Sequence, residues 1–296
     1  MNPRALAGPL VPREAWEARV EGVFRGAIAL AHPDGLWVTI LKSREDMEAR
    51  GIWPGPAAFE ALAGLVVPGR RVVFSGGGQP VLEIEGIRIE AGAPGTWDPR
   101  PELADAVAAF REAGPSAPSA AAGLIRAALA ADGYAEGLHG AGPFGRRFAE
   151  LRAEPGFPCN LAGFGPGTTP AGDDFLAGWC LGGILRGEGE SVRRRIAGID
   201  GSRTTVPGRT LLAGAARGMF PAYLVRLASA LAARVSEGVG PARAVGRDGP
   251  GARGAPREAF AEAVRVALSH GASSGRDAML GLMEGVAHET SQGPQG

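Results

Sequence analysis

The sequence is short of lysine, cysteine and long apolar runs, and each shortage excludes a class of protein. Lys42 is the only lysine among 31 Lys and Arg residues, and it follows a strand pattern without a glycine loop, which argues against Schiff-base and P-loop chemistry. Cys159 and Cys180 are too few for a disulfide framework or a zinc cluster. The longest apolar run, residues 175–185, is shorter than the roughly 20 residues that cross a bilayer, and the N-terminus lacks a signal-peptide core. We therefore expect a soluble cytoplasmic protein that does not enter a membrane.

The chain also has a formal net charge of zero, because 31 basic side chains balance 31 acidic ones. Nothing in this balance suggests a nucleic-acid or anionic-membrane partner. The 48 Gly and 24 Pro residues bring the composition close to that of low-complexity chains. We nevertheless expect globular structure, since 45% of the residues are apolar and disordered chains combine low hydrophobicity with high net charge. The length of 296 residues suits one or two domains.

The first hundred residues show short strand patterns separated by turn signals. The segments 20–31 and 36–42 flank His32-Pro33-Asp34-Gly35, which has the residues of a tight reversal. The segments 70–75 and 81–91 flank a glycine run at 76–80, which we interpret as a hairpin turn rather than a phosphate loop, because no helix pattern follows it. Several short strands with such turns predict a small barrel or a compact sheet.

From Glu102 onward the pattern changes to Ala- and Leu-rich helical spacing. Four such segments lie at 101–113, 121–131, 220–235 and 257–268, with a predicted linker at 114–119. The arginine-containing stretch 237–258 has no aromatic residue on which bases would stack, so we interpret it as a solvated loop. The predicted class is α+β, with a β-rich, barrel-like N-terminal domain at 1–100 and a mostly α-helical domain at 101–296.

A loop rich in glycine and proline precedes an apolar helix pattern within residues 161–178. Thr169 resembles a helix N-cap followed by proline in the first turn, and the free N–H groups of such a helix start favour anions. The predicted anion-binding residues of this loop are Gly165, Gly167, Thr168, Thr169 and Gly172. Asp173 and Asp174 would repel a bare anion, so we consider them catalytic carboxylates and candidate Mg²⁺ ligands. The structural alternative is that they cap the helix.

A second stretch, residues 268–281, repeats this arrangement. Gly275, Asp277 and Gly281 match Gly172, Asp174 and Gly178 at the same offsets, which suggests two similar helix N-termini that face one another. The candidate catalytic residues here are His270 and Asp277, and the candidate substrate-binding residues are Ser273, Ser274 and Gly275. A capping box between Ser274 and Asp277, or a purely structural histidine, would explain the same pattern.

A third polar segment contains Arg203, Thr204 and Thr205. Arginine offers a forked donor to a carboxylate or a phosphate, so these residues are candidates for substrate binding. Either threonine would also serve as the cap of the helix pattern that follows.

The run GFGPGTTPAGDDFLAG at 163–178 resembles a motif of the bacterial family of the AllH-type subunit of oxamate carbamoyltransferase. The resemblance continues through Thr204-Thr205 to HGASSGRDAMLG at 270–281. Thr169, Gly172, Asp173 and Asp174 match the family's Leu-Thr-Pro-Ser-Gly-Asp-Asp run. Ala171 replaces its serine, and His270 precedes the glycine that it follows in many family members.

The resemblance implies carbamoyl transfer between carbamoyl phosphate and oxamate, by an assembly of several different subunits in purine or allantoin nitrogen catabolism. Such a transfer needs a phosphate cradle, donors for an oxyanion and an arginine for the oxamate carboxylate, which these segments offer. Two alternatives stay open. One is a non-catalytic partner subunit, and the other is a metal-dependent phosphoryl-transfer or hydrolytic enzyme that uses Asp173, Asp174 and Asp277.

Overall fold

The computed structural model describes residues 5–76, 81–133, 138, 142–237 and 255–287. The chain forms two compact units. The first comprises Met1–Arg100 and Met219–Tyr223, and the second comprises Pro101–Gly218 and Leu224–Gly296. The first unit contains a closed β-barrel and the second is helical, so the predicted α+β class is confirmed.

The barrel consists of eight short strands. These are β1 Ala5–Ala7, β2 Trp16–Val23, β3 Ala27–Ala31, β4 Trp37–Leu41, β5 Gly51–Trp53, β6 Arg71–Ser75, β7 Val81–Ile84 and β8 Ile87–Thr96. Their order around the barrel is β1-β5-β4-β3-β2-β6-β7-β8. The β1–β8 and β4–β5 pairs are parallel and the other pairs are antiparallel. Helix α1, Pro56–Leu65, connects β5 to β6.

Alternating apolar residues fill the barrel interior. In β2 the side chains of Trp16, Ala18 and Val20 are buried while their neighbours in sequence point outward. The Trp16 ring stacks on Phe74 of β6 at a centroid distance of 4.1 Å. Phe59 of α1 belongs to the same core, so this unit has an apolar core of its own.

The predicted strand at 81–91 is two strands. Glu85 and Gly86 both have positive φ, of 49° and 86°, and they form the tight turn between β7 and β8. Glycine at the second position makes this turn accessible. Strands β6 and β7 pair antiparallel at Ser75 and Val81, whereas the glycine run between them lies mostly outside the described residues.

The second unit contains helices α2 to α10. Their bounds are α2 Arg100–Glu112, α3 Ala117–Asp132, α4 Pro143–Ala153, α5 Ala171–Leu185, α6 Gly189–Ala197, α7 Val206–Ala215, α8 Ala222–Ser236, α9 Ala255–Leu268 and α10 Ser274–Ala287. Nearly every residue of α5 is buried. Helices α6, α7 and α10 pack on α5, and α3 and α9 pack on α10.

The helices differ from the sequence expectations in three places. Helices α1, α4 and α6 were not expected, because each is short and interrupted by glycine or rich in arginine. Helix α3 begins at Ala117, inside the predicted linker, since proline is tolerated in a first turn. Of the predicted loop at 237–258, residues 238–254 lie outside the described part, and α9 already begins at Ala255. Within the described ranges, none of the helices has the length and apolar character needed to cross a membrane.

Candidate functional site

Helices α5 and α10 approach so closely that their backbones touch. A Cβ added at Gly178 would lie less than 3.0 Å from the carbonyl oxygen of Ala278. A Cβ at Gly281 would lie equally close to the carbonyl oxygen of Phe175. Only glycine fits at these two positions, because any side chain would meet backbone rather than a flexible group.

One turn further along, the same contacts recur. A Cβ at Gly182 would lie 2.7 Å from the Leu282 carbonyl oxygen, and one at Gly285 would collide with the Trp179 carbonyl oxygen. In the alignment of the two motifs, Gly178 is equivalent to Gly281, and Phe175 is equivalent to Ala278. The contacts are therefore reciprocal, as expected for two repeats related by a local two-fold axis. The contacts advance together along both helices, so α5 and α10 run parallel. Their N-termini lie at the same end, in agreement with the prediction from the two motifs.

Three carboxyl groups are buried at this shared end. Asp173 and Asp277 are 0% exposed and Asp174 is 4% exposed. Burial of a carboxylate is unfavourable unless hydrogen bonds or opposite charges compensate it. The partners of each carboxyl group therefore decide what the site can do.

Asp173 finds its partners outside its own helix. Its Oδ1 accepts a hydrogen bond from the Gly163 N–H at 3.0 Å, and its Oδ2 accepts one from the Thr204 hydroxyl. Gly208 makes room for this side chain, since a Cβ there would overlap Oδ2. Burial raises the pKa of Asp173, and the bonds from Thr204 and Gly163 oppose this rise. Asp173 thus joins the loop before α5 to the segment before α7.

Asp174 faces the second motif. Burial raises its pKa well above the ordinary value, and repulsion from Asp277 and Asp173 adds to the rise, while the Ser274 hydroxyl opposes it. Its Oδ2 is buried without a hydrogen-bond partner in the described part of the chain. The structure therefore pairs Ser274 with Asp174 across the helix interface.

Asp277 occupies the equivalent place on α10. Burial raises its pKa to about 6, and the Ser273 hydroxyl, the Leu138 N–H and Arg276 oppose the rise. The Leu138 nitrogen lies 3.4 Å from Oδ1, whereas Oδ2 is buried and finds no partner among the described residues. The predicted capping box would pair Ser274 with Asp277. In the structure the Ser274 hydroxyl contacts Asp174 instead, and the Ser273 hydroxyl contacts Asp277.

The loop between Gly163 and α5 is shaped by glycines with positive φ. Gly165 and Gly167 have φ of 98° and 107°, a region that residues with a side chain rarely adopt. Thr205 holds this loop, because its hydroxyl donates to the Thr168 carbonyl at 2.7 Å. Thr205 also caps α7 by accepting from the Gly208 N–H at 3.1 Å. Of the two threonines, Thr205 is thus the cap and Thr204 binds Asp173.

The predicted cap at Thr169 is wrong. Pro170 is the N-cap residue of α5, and no side chain accepts from the first turn. A proline has no side-chain acceptor, and the carboxylate of Asp173 is directed to Gly163 and Thr204 instead. The aspartates of the first motif therefore do not serve as caps of their own helix.

His270 and Arg203 lie at the edges of this arrangement. The carbonyl of half-buried His270 accepts the Gly275 N–H at 3.1 Å, which closes the loop before α10. A Cβ at Gly275 would overlap the Ala267 carbonyl oxygen. Arg203 is exposed and donates to the Asn160 carbonyl at 3.0 Å.

Sequence reasoning missed the residues that support the site. Arg276 forms a two-pronged ion pair with Asp132 of α3, at 2.6 and 3.1 Å, and also donates to the Leu268 carbonyl at 3.1 Å. The position of Arg276 inside the second motif, residues 268–281, is the sequence signal that could have indicated this role. Gly208 and Leu138 had no such signal, because their roles depend on contacts between segments far apart in sequence.

The donor set gives limited support to a bound metal ion. In the part of the chain that the structure describes, no group of three or more His, Cys, Asp or Glu residues is arranged to hold one. Both oxygens of Asp173 are already hydrogen-bonded. Asp174 would be left to bind Mg²⁺ with few protein ligands.

The comparison with known families bears on these same residues. Residues 161–247 match the family model described as oxamate carbamoyltransferase subunit AllH. The match supports the resemblance to the AllH-type family that the sequence motifs indicate. The matched region includes the glycine loop, the adjacent aspartates and the two threonines that join them. No curated protein and no solved structure matched the chain.

Proposed function

We propose that this AllH-type chain is a subunit of a carbamoyltransferase and binds a small anionic substrate at the 165–174 loop. The convergence of three polar segments carries the proposal. Asp173 joins the first motif to Thr204, and Asp174 faces Ser274 and Asp277 of the second motif. Three segments far apart in sequence thus meet at the common N-terminal end of two parallel helices.

The 165–174 loop has the features of an anion cradle. The N–H groups of Gly165, Gly167 and Thr168 find no hydrogen-bond acceptor among the described residues. Free N–H groups beside a helix N-terminus attract phosphate and carboxylate groups. The raised pKa of Asp174 reduces its negative charge near neutral pH, which lessens repulsion of such an anion.

The reaction that we propose is the transfer of a carbamoyl group from carbamoyl phosphate to the nitrogen of oxamate. The new carbon–nitrogen bond forms while the carbon–oxygen bond to phosphate breaks, and the nitrogen loses a proton. The Asp277 carboxyl, with a pKa of about 6, suits the acceptance of this proton near neutral pH. Asp173, Asp174 and His270 are further catalytic candidates, and Mg²⁺ at the Asp173–Asp174 pair stays a prediction.

Substrate binding is to be tested by thermal unfolding with carbamoyl phosphate or oxamate. A ligand at 100 times its Kd stabilises the folded chain by about 2.7 kcal/mol, which raises Tm measurably. We expect Gly167→Ala to remove this rise, because Gly167 has a φ of 107° and lies in the cradle. Gly35→Ala is the matched control, since Gly35 of the barrel has a φ of 81° and free space around it. Absence of a rise with both ligands in the unmodified chain would contradict the proposal.

A non-catalytic role in a multi-subunit assembly is the second candidate. It is favoured by the burial of the three carboxyl groups, none of which is more than 4% exposed. The family description names a subunit, so we expect partner chains. Co-purification with a larger subunit, with ligand binding only by the complex, would support this candidate over the first.

A further inference from the structure

Two carboxyl oxygens in this site have no hydrogen-bond partner in the described part of the chain. They are Oδ2 of Asp174 and Oδ2 of Asp277, both shielded from water. Buried polar atoms are nearly always hydrogen-bonded, and each exception calls for an explanation such as strain, a catalytic role or a missing water or ion. These two atoms belong to equivalent positions of α5 and α10.

Within the cluster of three buried carboxyl groups, only this pair has oxygens without a partner among the described residues. Asp173, equally buried, has both oxygens satisfied by Gly163 and Thr204. Oδ1 of Asp277 has the Leu138 N–H within 3.4 Å. The chain thus provides donors for the other carboxyl oxygens of the cluster and leaves one atom from each helix without any.

We propose that Asp174 and Asp277 together bind the –NH₂ group of a primary amide or carbamoyl substrate. This inference rests on the proposed function and specifies what that site recognises. An –NH₂ group carries two N–H donors on a single nitrogen, one for each unpaired oxygen. A carboxylate or a fully ionised phosphate has no donor at all, and an alcohol hydroxyl has one.

The pair therefore acts as a specificity filter. Oxamate and oxalate have nearly the same shape and differ in that –NH₂ replaces one oxygen. Carbamoyl phosphate and acetyl phosphate differ in that –NH₂ replaces a methyl group. A site built to hydrogen-bond a donor discriminates strongly against an analogue that lacks it, because its own polar atoms are then left unpaired.

The test measures the affinity of the full chain for both matched ligand pairs. We expect the amide member of at least one pair to bind about tenfold more tightly or better. Asp277→Asn and Asp174→Asn should bring this ratio close to one, because each replaces an acceptor with a group that also donates. Asp105→Asn, on the exposed face of α2, is the control and should keep the ratio. Circular dichroism verifies that each variant is folded, and the ratio in the unmodified chain tests the proposal without any variant.

Each other outcome is decisive. Equal affinity for amide and analogue would overturn this inference and leave the proposed function intact, as would an unchanged ratio in both folded Asp variants. Binding of Mg²⁺ by the two oxygens would also overturn this inference. It would appear as a rise of Tm with Mg²⁺ alone that a chelator reverses and that is lost in Asp174→Asn and Asp277→Asn. Failure of all four ligands to bind would overturn the proposed function together with the inference.

Discussion

At the scale of single residues, the site depends on how each buried carboxyl group is compensated. Asp173 is compensated by hydrogen bonds from two other segments. Asp174 and Asp277 are compensated only in part, and burial raises the pKa of both. Carboxyl groups with raised pKa values are typical of sites that bind or transfer protons, although structural clusters show them as well.

The raised pKa of Asp277 predicts a pH-dependent stability. Its pKa is 3.8 in a model compound and about 6 in the folded chain, so the folded state binds more protons between these values. The contribution of this group to the free energy of unfolding should fall by about 2 kcal/mol as pH rises from 4 to 6, out of about 3 kcal/mol over its whole titration. Urea unfolding of the unmodified chain and of Asp277→Asn over this range measures the difference.

The asparagine variant should lose this part of the pH dependence, because it has no proton to release. At pH 7 it should be no less stable than the unmodified chain, since it buries no charge. Asp105→Asn is the control, being exposed on α2. A steeper loss of stability in Asp277→Asn than in the control, as pH rises, would contradict the assignment.

At the scale of elements, the contact between α5 and α10 organises the second unit. Glycines on each helix allow the carbonyl groups of the other to approach. This contact brings the two motifs together, and it also sets the spacing of Asp174 and Asp277. Four of the glycines that bring the composition close to that of low-complexity chains, Gly178, Gly182, Gly281 and Gly285, are therefore packing residues.

Gly178→Ala should destabilise the chain strongly. The added Cβ would lie less than 3.0 Å from the Ala278 carbonyl oxygen, and overpacking of this kind costs about 1–3 kcal/mol or more. Gly123→Ala in α3 is the matched control, because nothing lies within 4 Å of its added Cβ. That control should gain about 0.5–1 kcal/mol, as expected for alanine in a helix interior. Urea unfolding compares the two, and equal effects would contradict the close contact.

Much of this arrangement is visible in the sequence, and the remainder has physical causes that local patterns do not contain. The helical spacing around residues 101–113 and 220–235 predicted α2 and α8, and the paired motifs predicted two helix starts that meet. The predicted cap at Thr169 is wrong because α5 begins one residue later, with Pro170 as its N-cap. The bond between Thr204 and Asp173 joins distant segments, so no local pattern predicts it. The turn at Glu85 was missed, since alternation continues on both sides of it. The assignment of roles to the site residues stays a prediction.

At the scale of the whole molecule, the chain combines a barrel unit and a helical unit, each with its own buried residues. The residues proposed for substrate binding and catalysis all belong to the helical unit. Two units with separate cores are expected to unfold with limited mutual dependence. The domains predicted at 1–100 and 101–296 are testable on this basis.

Phe74→Ala should affect the barrel unit selectively. Phe74 is 0% exposed and stacks on Trp16, and its truncation should cost about 3–5 kcal/mol. Calorimetry should show one unfolding transition at lower temperature and a second that is little changed. Val73→Ala is the control, because Val73 is 58% exposed on the same strand. A single transition that moves as a whole would indicate that the units unfold together.

The glycine contact between α5 and α10 also restricts how the molecule can move. The carbonyl groups of each helix pack against glycine Cα atoms of the other helix. If one helix slid along the other, these carbonyl oxygens would clash with backbone atoms. The pair therefore behaves as a single stiff body, and the distance between its two aspartates is fixed mechanically. We expect the motion that admits a substrate to these carboxyl groups to come from the segments around the pair, such as the loops before the helices and the segment of Leu138. Changes in those loops should alter rates of entry and release while the geometry of the aspartate pair stays the same.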